Sequence, residues 1–286
     1  MPKNPKCVMI LTEGPSDRLA LTNFFTDLYS KINPDIEVFF PILKEDYLSD
    51  DGGIETKYNG DITSRKGIAP ENILPMLLKL FIHPELQKHP AYEYPKSVCE
   101  IIHLVDIDGT YLEPSQVVTA DASDIRDLPY YDDVKNVIVC NNAEDVIDRN
   151  VRKSDNLKKL CETRRLKITM SKDENASREK PYRIYYFSSN IDHFLFGKAN
   201  NSRSKKVSDA KKFSNDFFDE PLKMARYFLD HPNAVREMTY EQSWDFIQEN
   251  NNSIQPHTNI NLLIEDLLKR ANIEIKDLPE NDIRTY

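Results

Sequence analysis

Short apolar runs alternate along the chain with longer amphipathic segments. Residues 6–12 (KCVMILT) are a run of strand formers, and 17–32 then carries Leu19, Leu21, Phe24, Phe25 and Leu28 at helical spacing. That order predicts a strand, a tight turn and a helix. Residues 36–43 (IEVFFPIL) predict a second strand, whereas 44–68, with DDGGIETKYNGDITSRKG, holds too little apolar content for a core and predicts a polar loop insertion. Helical periodicity returns over 69–86 with Pro70 near its start, and 99–105 (CEIIHLV) predicts a third strand running directly into Asp106. Residues 136–140 (NVIVC) predict a fourth.

The region 143–166 is helical and charged, with Arg149, Arg152, Lys153, Lys158, Lys159, Arg164 and Arg165, and reads as a solvated helix face. Residues 167–180 are polar and predict a flexible loop, after which 182–187 (YRIYYF) predicts a fifth strand ending at SSNIDHFLFG. From residue 205 onward the pattern is helical. Strands alternating with helices predict an α/β fold whose sheet is flanked by helices. The expected organisation is a catalytic domain over 1–200 and a helical C-terminal extension over 201–286. In that extension Trp244, Phe246 and Ile247 form an apolar stripe, read as core packing ahead of partner docking.

A chain of 286 residues, 40% hydrophobic and 30% charged, can bury a sizeable core. With only 7 glycines and no G-x-x-x-x-G-K-[ST], it carries no glycine-rich phosphate loop and no ATP site of that kind. No apolar run reaches the roughly 18 residues of a membrane span, and the N-terminal residues lead into a strand instead of a signal sequence, so a cytoplasmic location is expected. Cys7, Cys99, Cys140 and Cys161 lie far apart without a C-x-x-C pair and read as buried thiols. The net charge of -9 argues against coating nucleic acid by bulk electrostatics, but not against a nuclease with a cation-neutralised acidic site.

Two acidic motifs follow predicted strands. Glu13-Gly14-Pro15-Ser16-Asp17 puts a carboxylate at a strand's C-terminal end, where open α/β sheets bind ligands. Ser16 or Asp17 there also reads as a helix cap. Asp106-Ile107-Asp108-Gly109 places two carboxylates one residue apart, and in extended backbone both side chains face one spot. Such like charges call for a cation, and magnesium or manganese suits an all-oxygen ligand set. Glu13, Asp106 and Asp108 are therefore the expected metal-binding and catalytic residues.

A strand followed by EGPSD and a helix, then a strand followed by DIDG, resembles the TOPRIM domain of topoisomerases, primases and small bacterial nucleases. Within it, the OLD-like and RloB-like nucleases of phage defence are the most similar. The resemblance covers about the first two hundred residues. It implies a TOPRIM-like, mostly parallel sheet and Mg2+- or Mn2+-dependent cleavage of phosphodiester bonds in DNA or RNA. It implies Glu13 as an acid/base or metal residue, Asp106 and Asp108 as ligands, and Asp192, where the family favours Glu, as a further ligand. His193 beside it is a candidate phosphate contact. On the same reading Arg203, Lys205, Lys206, Lys211 and Lys212 follow the nucleic-acid backbone, and an ATPase is the expected partner, with homo-oligomerisation open. Two other readings stand beside it. LVDIDGTYL also matches the opening motif of haloacid-dehalogenase-type phosphatases, in which the two aspartates are nucleophile and acid/base. That motif needs a hydroxyl at the end of the next core strand, where this chain has Cys140-Asn141, and it has no use for Glu13. The other is a non-enzymatic binding protein.

Overall fold

The computed structural model describes the backbone of residues 5–41, 44–48, 54–58, 60–89, 96–132, 134–170 and 173–280. The side chains of 44–48, 54–58, 169–170, 173–176 and of Arg203 lie outside the description.

The first strand, β1 (Lys6–Leu11), is buried along five of its six residues, as a strand covered on both faces must be. Helix α1 (Pro15–Ile32) follows, then β2 (Ile36–Phe39). Segment 44–58 corrects the expectation of a loop: β3 (Lys44–Leu48) and β4 (Ile54–Tyr58) pair as an antiparallel ribbon, because backbone hydrogen bonds need no apolar content to close on each other. The predicted helix over 69–86 is broken into α2 (Pro70–Leu77), a π-helical turn at Leu78–Ile82 and α3 (His83–Gln87). Pro75 inside α2 lacks the N–H that an uninterrupted ladder requires.

Next comes β5 (Val98–Asp106), followed by the short strands β6 (Val117–Thr119), β7 (Tyr130–Asp132) and β8 (Val137–Cys140). The predicted fourth strand, β8, lies outside the main sheet, in a three-stranded sheet of order β6-β8-β7. Helix α4 (Ala143–Glu162) leads to β9 (Arg165–Met170) and β10 (Asp173–Phe187). The predicted polar loop over 167–180 is thus an antiparallel β9–β10 ribbon, anchored by buried Leu166 and Ile168, whose β10 arm continues into the central sheet. After β10 come the helices α5 (Ile191–Phe196), α6 (Arg203–Asp216), α7 (Pro221–Asp230), α8 (Tyr240–Phe246) and α9 (Ile260–Arg270).

The main sheet has order β2-β1-β5-β10-β9, parallel except at the β9 edge, and both faces are covered by helices. On one face Val8, Ile10, Ile102, Leu104, Tyr185 and Phe187 pack with Phe24, Phe213, Phe228 and Ile264 of α1, α6, α7 and α9. On the other, Met9, Ile101, Val105, Tyr182 and Ile184 pack with Ile73, Leu157 and Trp244 of α2, α4 and α8. Each fully buried side chain of this kind contributes about 1.5–3 kcal/mol. The C-terminal helices therefore share cores with the sheet. Trp244 and Ile247 are buried in the second of these, and Phe246 is half-buried. Cys7 and Cys140 are buried, while Cys99 and Cys161 are partly exposed. No helix among the described residues is long and apolar enough to cross a membrane.

Candidate metal centre

The parallel strands β1, β5 and β10 end side by side, and their C-terminal ends define the site. Glu13 stands two residues past β1, where Gly14 in extended backbone and Pro15 at the first helical position turn the chain into α1. The cap of α1 is Gly14 and not Ser16 or Asp17; Asp17, at the third helical position, reaches back so that its Oδ2 accepts from the Gly14 N–H at 2.8 Å and its Oδ1 from Ser16 Oγ at 3.2 Å. Asp106 is the last residue of β5. The extended geometry expected for Asp106-Ile107-Asp108 is corrected here: β5 ends at Asp106, and Asp108 (φ 53°) and Gly109 (φ 68°) have left-handed backbone, so the chain turns sharply.

The carboxylates whose oxygens come within 4.8 Å of one another are Glu13, Asp61 and Asp108. Asp61 reaches them because the chain passes Glu13 at Gly60, whose N–H donates to the Glu13 carbonyl at 3.0 Å. A Cβ at residue 60 would stand 2.2 Å from that carbonyl oxygen, so only glycine allows the approach. Asp61 Oδ1 then accepts from the N–H of Thr63 at 2.9 Å and from the Thr63 hydroxyl, and its Oδ2 accepts from Ser64 Oγ at 2.6 Å.

The ammonium of Lys153 sits among the three. Its Nζ is 2.7 Å from Asp108 Oδ2, 3.0 Å from Asp61 Oδ2 and 3.8 Å from Glu13 Oε1, and the side chain is 0% exposed. Lys153 belongs to an inner stripe of α4 that ties two loops together. Arg149 donates to the Asp108 carbonyl at 2.9 Å, Asn150 to that of Gly109 at 3.3 Å, Arg152 to that of Ser64 at 3.1 Å and Asn156 to that of Thr63 at 2.8 Å. From β7, Tyr131 donates to Asp108 Oδ1 at 3.0 Å. Both Asp108 oxygens are therefore engaged, whereas the buried Glu13 Oε1 accepts no hydrogen bond.

Electrostatics separate these acids. Burial pushes the Glu13 carboxyl well above the usual range, reinforced by Asp61 and by Asp106 and Asp108, with Lys153 opposing. Burial also acts against Asp61, yet the Lys153 ammonium and the Ser64 and Thr63 hydroxyls prevail and hold its carboxyl well below the usual range. For Lys153 burial favours the neutral form, but Asp108, Asp61 and Glu13 outweigh it and keep the amine protonated.

Asp106 and Asp192 stand outside the tight trio. Burial raises the Asp106 pKa well above normal, and the charges of Asp17 and Asp108 add to it. Asp192, in the first turn of α5, is 1% exposed, pairs with Lys206 Nζ at 3.2 Å and accepts from Asn201 Nδ2 at 3.3 Å. Lys206 thus turns inward, while Lys205, Lys211 and Lys212 are exposed on α6, which Arg203 opens. His193 is buried, with Nδ1 2.6 Å from Ser189 Oγ. β5 lies between β1 and β10, and just past β10 the Ser188 hydroxyl donates to the Gln255 carbonyl while that of Ser189 bonds to His193.

Sequence reasoning found Glu13 and Asp108 but missed Asp61, Lys153, Arg149 and Tyr131. The available signal was in α4, where Arg149, Lys153 and Asn156 recur at helical spacing beside Leu157 and Leu160, too near the buried stripe for a solvated face. Compared with protein-family models, characterised proteins and solved structures, the chain matches none.

Proposed function

We propose that this protein is a divalent-metal-dependent nuclease. The observation that carries the reading is that carboxylates from three separate segments meet within 4.8 Å at the ends of adjacent parallel strands, with the buried Glu13 Oε1 left without a hydrogen bond. An all-oxygen donor set suits a hard cation such as Mg2+ or Mn2+, and an orphaned buried carboxylate oxygen is the kind of group such an ion satisfies. Glu13, Asp61 and Asp108 would hold it. When bound, the ion supplies a Lewis acid for a phosphoryl oxygen and lowers the pKa of its water.

The protein's own groups set the rest. Tyr131 and Arg149 fix Asp108 through its side chain and its carbonyl, and Gly60 fixes Asp61 against Glu13. Lys206 pairs with Asp192 and feels the charge of Asp106, and on this reading it and the exposed Lys205, Lys211 and Lys212 of the same helix hold the phosphodiester backbone. The TOPRIM resemblance extends the proposal to an anti-phage effector working in the cytoplasm beside an ATPase. Glu13 favours this reading over the phosphatase, which has no role for a carboxylate so placed.

The test is cleavage of plasmid, single-stranded DNA and tRNA with Mn2+ by wild type, Glu13→Gln and Asp61→Asn, with p-nitrophenyl phosphate as a parallel substrate. Metal-dependent cleavage of a nucleic acid that both variants lose is expected. Turnover of p-nitrophenyl phosphate alone would transfer the reading to the phosphatase, and metal binding without any turnover would transfer it to a binding protein.

A further inference from the structure

We infer that Lys153 is a resident cation occupying the position the metal takes, so that metal binding is an exchange of one cation for another; this rests on the metal-site reading above. The three carboxylate oxygens lie within 4.8 Å of one another, and Lys153 Nζ lies 2.7, 3.0 and 3.8 Å from Asp108, Asp61 and Glu13. An ion bound to all three must sit close to that point, since magnesium–oxygen distances are about 2.0–2.1 Å. Ammonium and ion exclude each other there.

The surroundings hold the ammonium of Lys153 by charge and by hydrogen bonds to two of the carboxylates. Its side chain is fully buried, its hydrogen bonds go to Asp61 and Asp108, and its first turn neighbour Arg149 spends its donors on the Asp108 carbonyl and Asn150. Three half-buried acids so close together, without a counter-charge, would repel one another. Lys153 therefore keeps Glu13, Asp61 and Asp108 assembled before the ion arrives, which makes it a positioning residue as well as a competitor. The contacts are asymmetric: Glu13 is the most distant of the three partners, and its Oε1 is ion-paired with Lys153 but accepts no hydrogen bond, so it is the ligand the ammonium holds least.

The test combines Mn2+ titration by calorimetry of wild type and Lys153→Met with an anomalous-scattering map of wild-type crystals soaked in Mn2+. The exchange predicts that Lys153→Met binds Mn2+ about tenfold more tightly or better, because its competitor is gone. It also predicts that the variant melts lower than wild type without metal and recovers on adding Mn2+. In the crystal, manganese lies between the three carboxylates with Nζ moved away from Asp108. If Lys153→Met does not fold, the map of wild type decides alone. Manganese bound with Nζ still on Asp108, or affinity in the variant equal to or below that of wild type, overturns the exchange and leaves the metal site standing. Absence of Mn2+ from both proteins removes the metal site and the exchange with it.

Discussion

Substituting Gly60 by alanine tests whether the site depends on the close crossing of two chain segments. The new Cβ would stand 2.2 Å from the Glu13 carbonyl oxygen and 2.6 Å from its carbon and Cα, whereas ordinary contact begins at 3.4 Å. All three obstacles are backbone, so one segment must move by about an ångström or more. The move breaks the 3.0 Å hydrogen bond from the Gly60 N–H to Glu13. Losing that bond costs about 0.5–1.5 kcal/mol and the forced shift about 1–3 kcal/mol, for a total of about 1.5–4.5 kcal/mol. In a chain of this size that corresponds to a fall in Tm of about 4–8 °C. Because the displaced residues adjoin Asp61 and Glu13, Mn2+ affinity falls with it, by about tenfold or more. Gly67→Ala is the control: Gly67 has φ 81° but nothing within 4 Å of its added Cβ, so only the left-handed backbone is penalised, about 1–2 kcal/mol, and Mn2+ binding is unchanged. Thermal melts and calorimetric titration of both variants supply the data. Equal melting shifts with intact Mn2+ binding in Gly60→Ala would refute the tether.

Asp17 gives a pH-dependent outcome: burial raises its carboxyl from 3.8 to about 6, with Gly14 opposing and Asp192 adding. A raised carboxyl stabilises most below 3.8 and loses that contribution as pH rises through about 6, so Asp17→Asn, which keeps an acceptor for Gly14, gains on wild type by up to about 3 kcal/mol across that window. Urea melts at several pH values check it, and a constant difference refutes it. Tyr131→Phe removes the donor to Asp108 Oδ1 and lowers stability by about 1.5–3 kcal/mol in chemical denaturation, and an unchanged midpoint would mean that the bond contributes nothing. Reversing the exposed Lys205, Lys211 and Lys212 to Glu weakens binding to single-stranded DNA and flattens the salt dependence, the log–log slope falling by about 2. An unaltered slope would place the nucleic acid on another face.

The elements most legible in the sequence were those whose apolar residues decide the structure: β1, α1, β5 and the strand portion of β10 next to it. The two polar segments were misread for one reason. Ribbons β3–β4 and β9–β10 are held by backbone pairing, which leaves little trace in composition. The site divides in the same way. Glu13 and Asp108 were visible because each follows a hydrophobic strand, and adjacent parallel strands bring them together. Asp61 was hidden in a polar stretch, since its placement depends on a contact between Gly60 and Glu13 that no local pattern encodes. Lys153 was hidden by its own type: a lysine on a charged helix normally faces water, and only the three carboxylates it meets make full burial tolerable. Asp106 and Asp108 look equivalent in the sequence, yet only Asp108 has oxygens within 4.8 Å of both Glu13 and Asp61.

The stripe on α4 has a consequence for how the chain folds. Lys153 bonds to groups 45 and 92 positions away, and Asn156 to one 93 away, so none of these contacts forms while the neighbourhood is still local. Closing such loops costs entropy that only the docked helix returns. The counter-charge for these acids thus comes from an element distant in sequence, α4. The charged centre is therefore complete only where α4 is docked on the sheet, so local loosening of that helix would leave Glu13, Asp61 and Asp108 without their counter-charge.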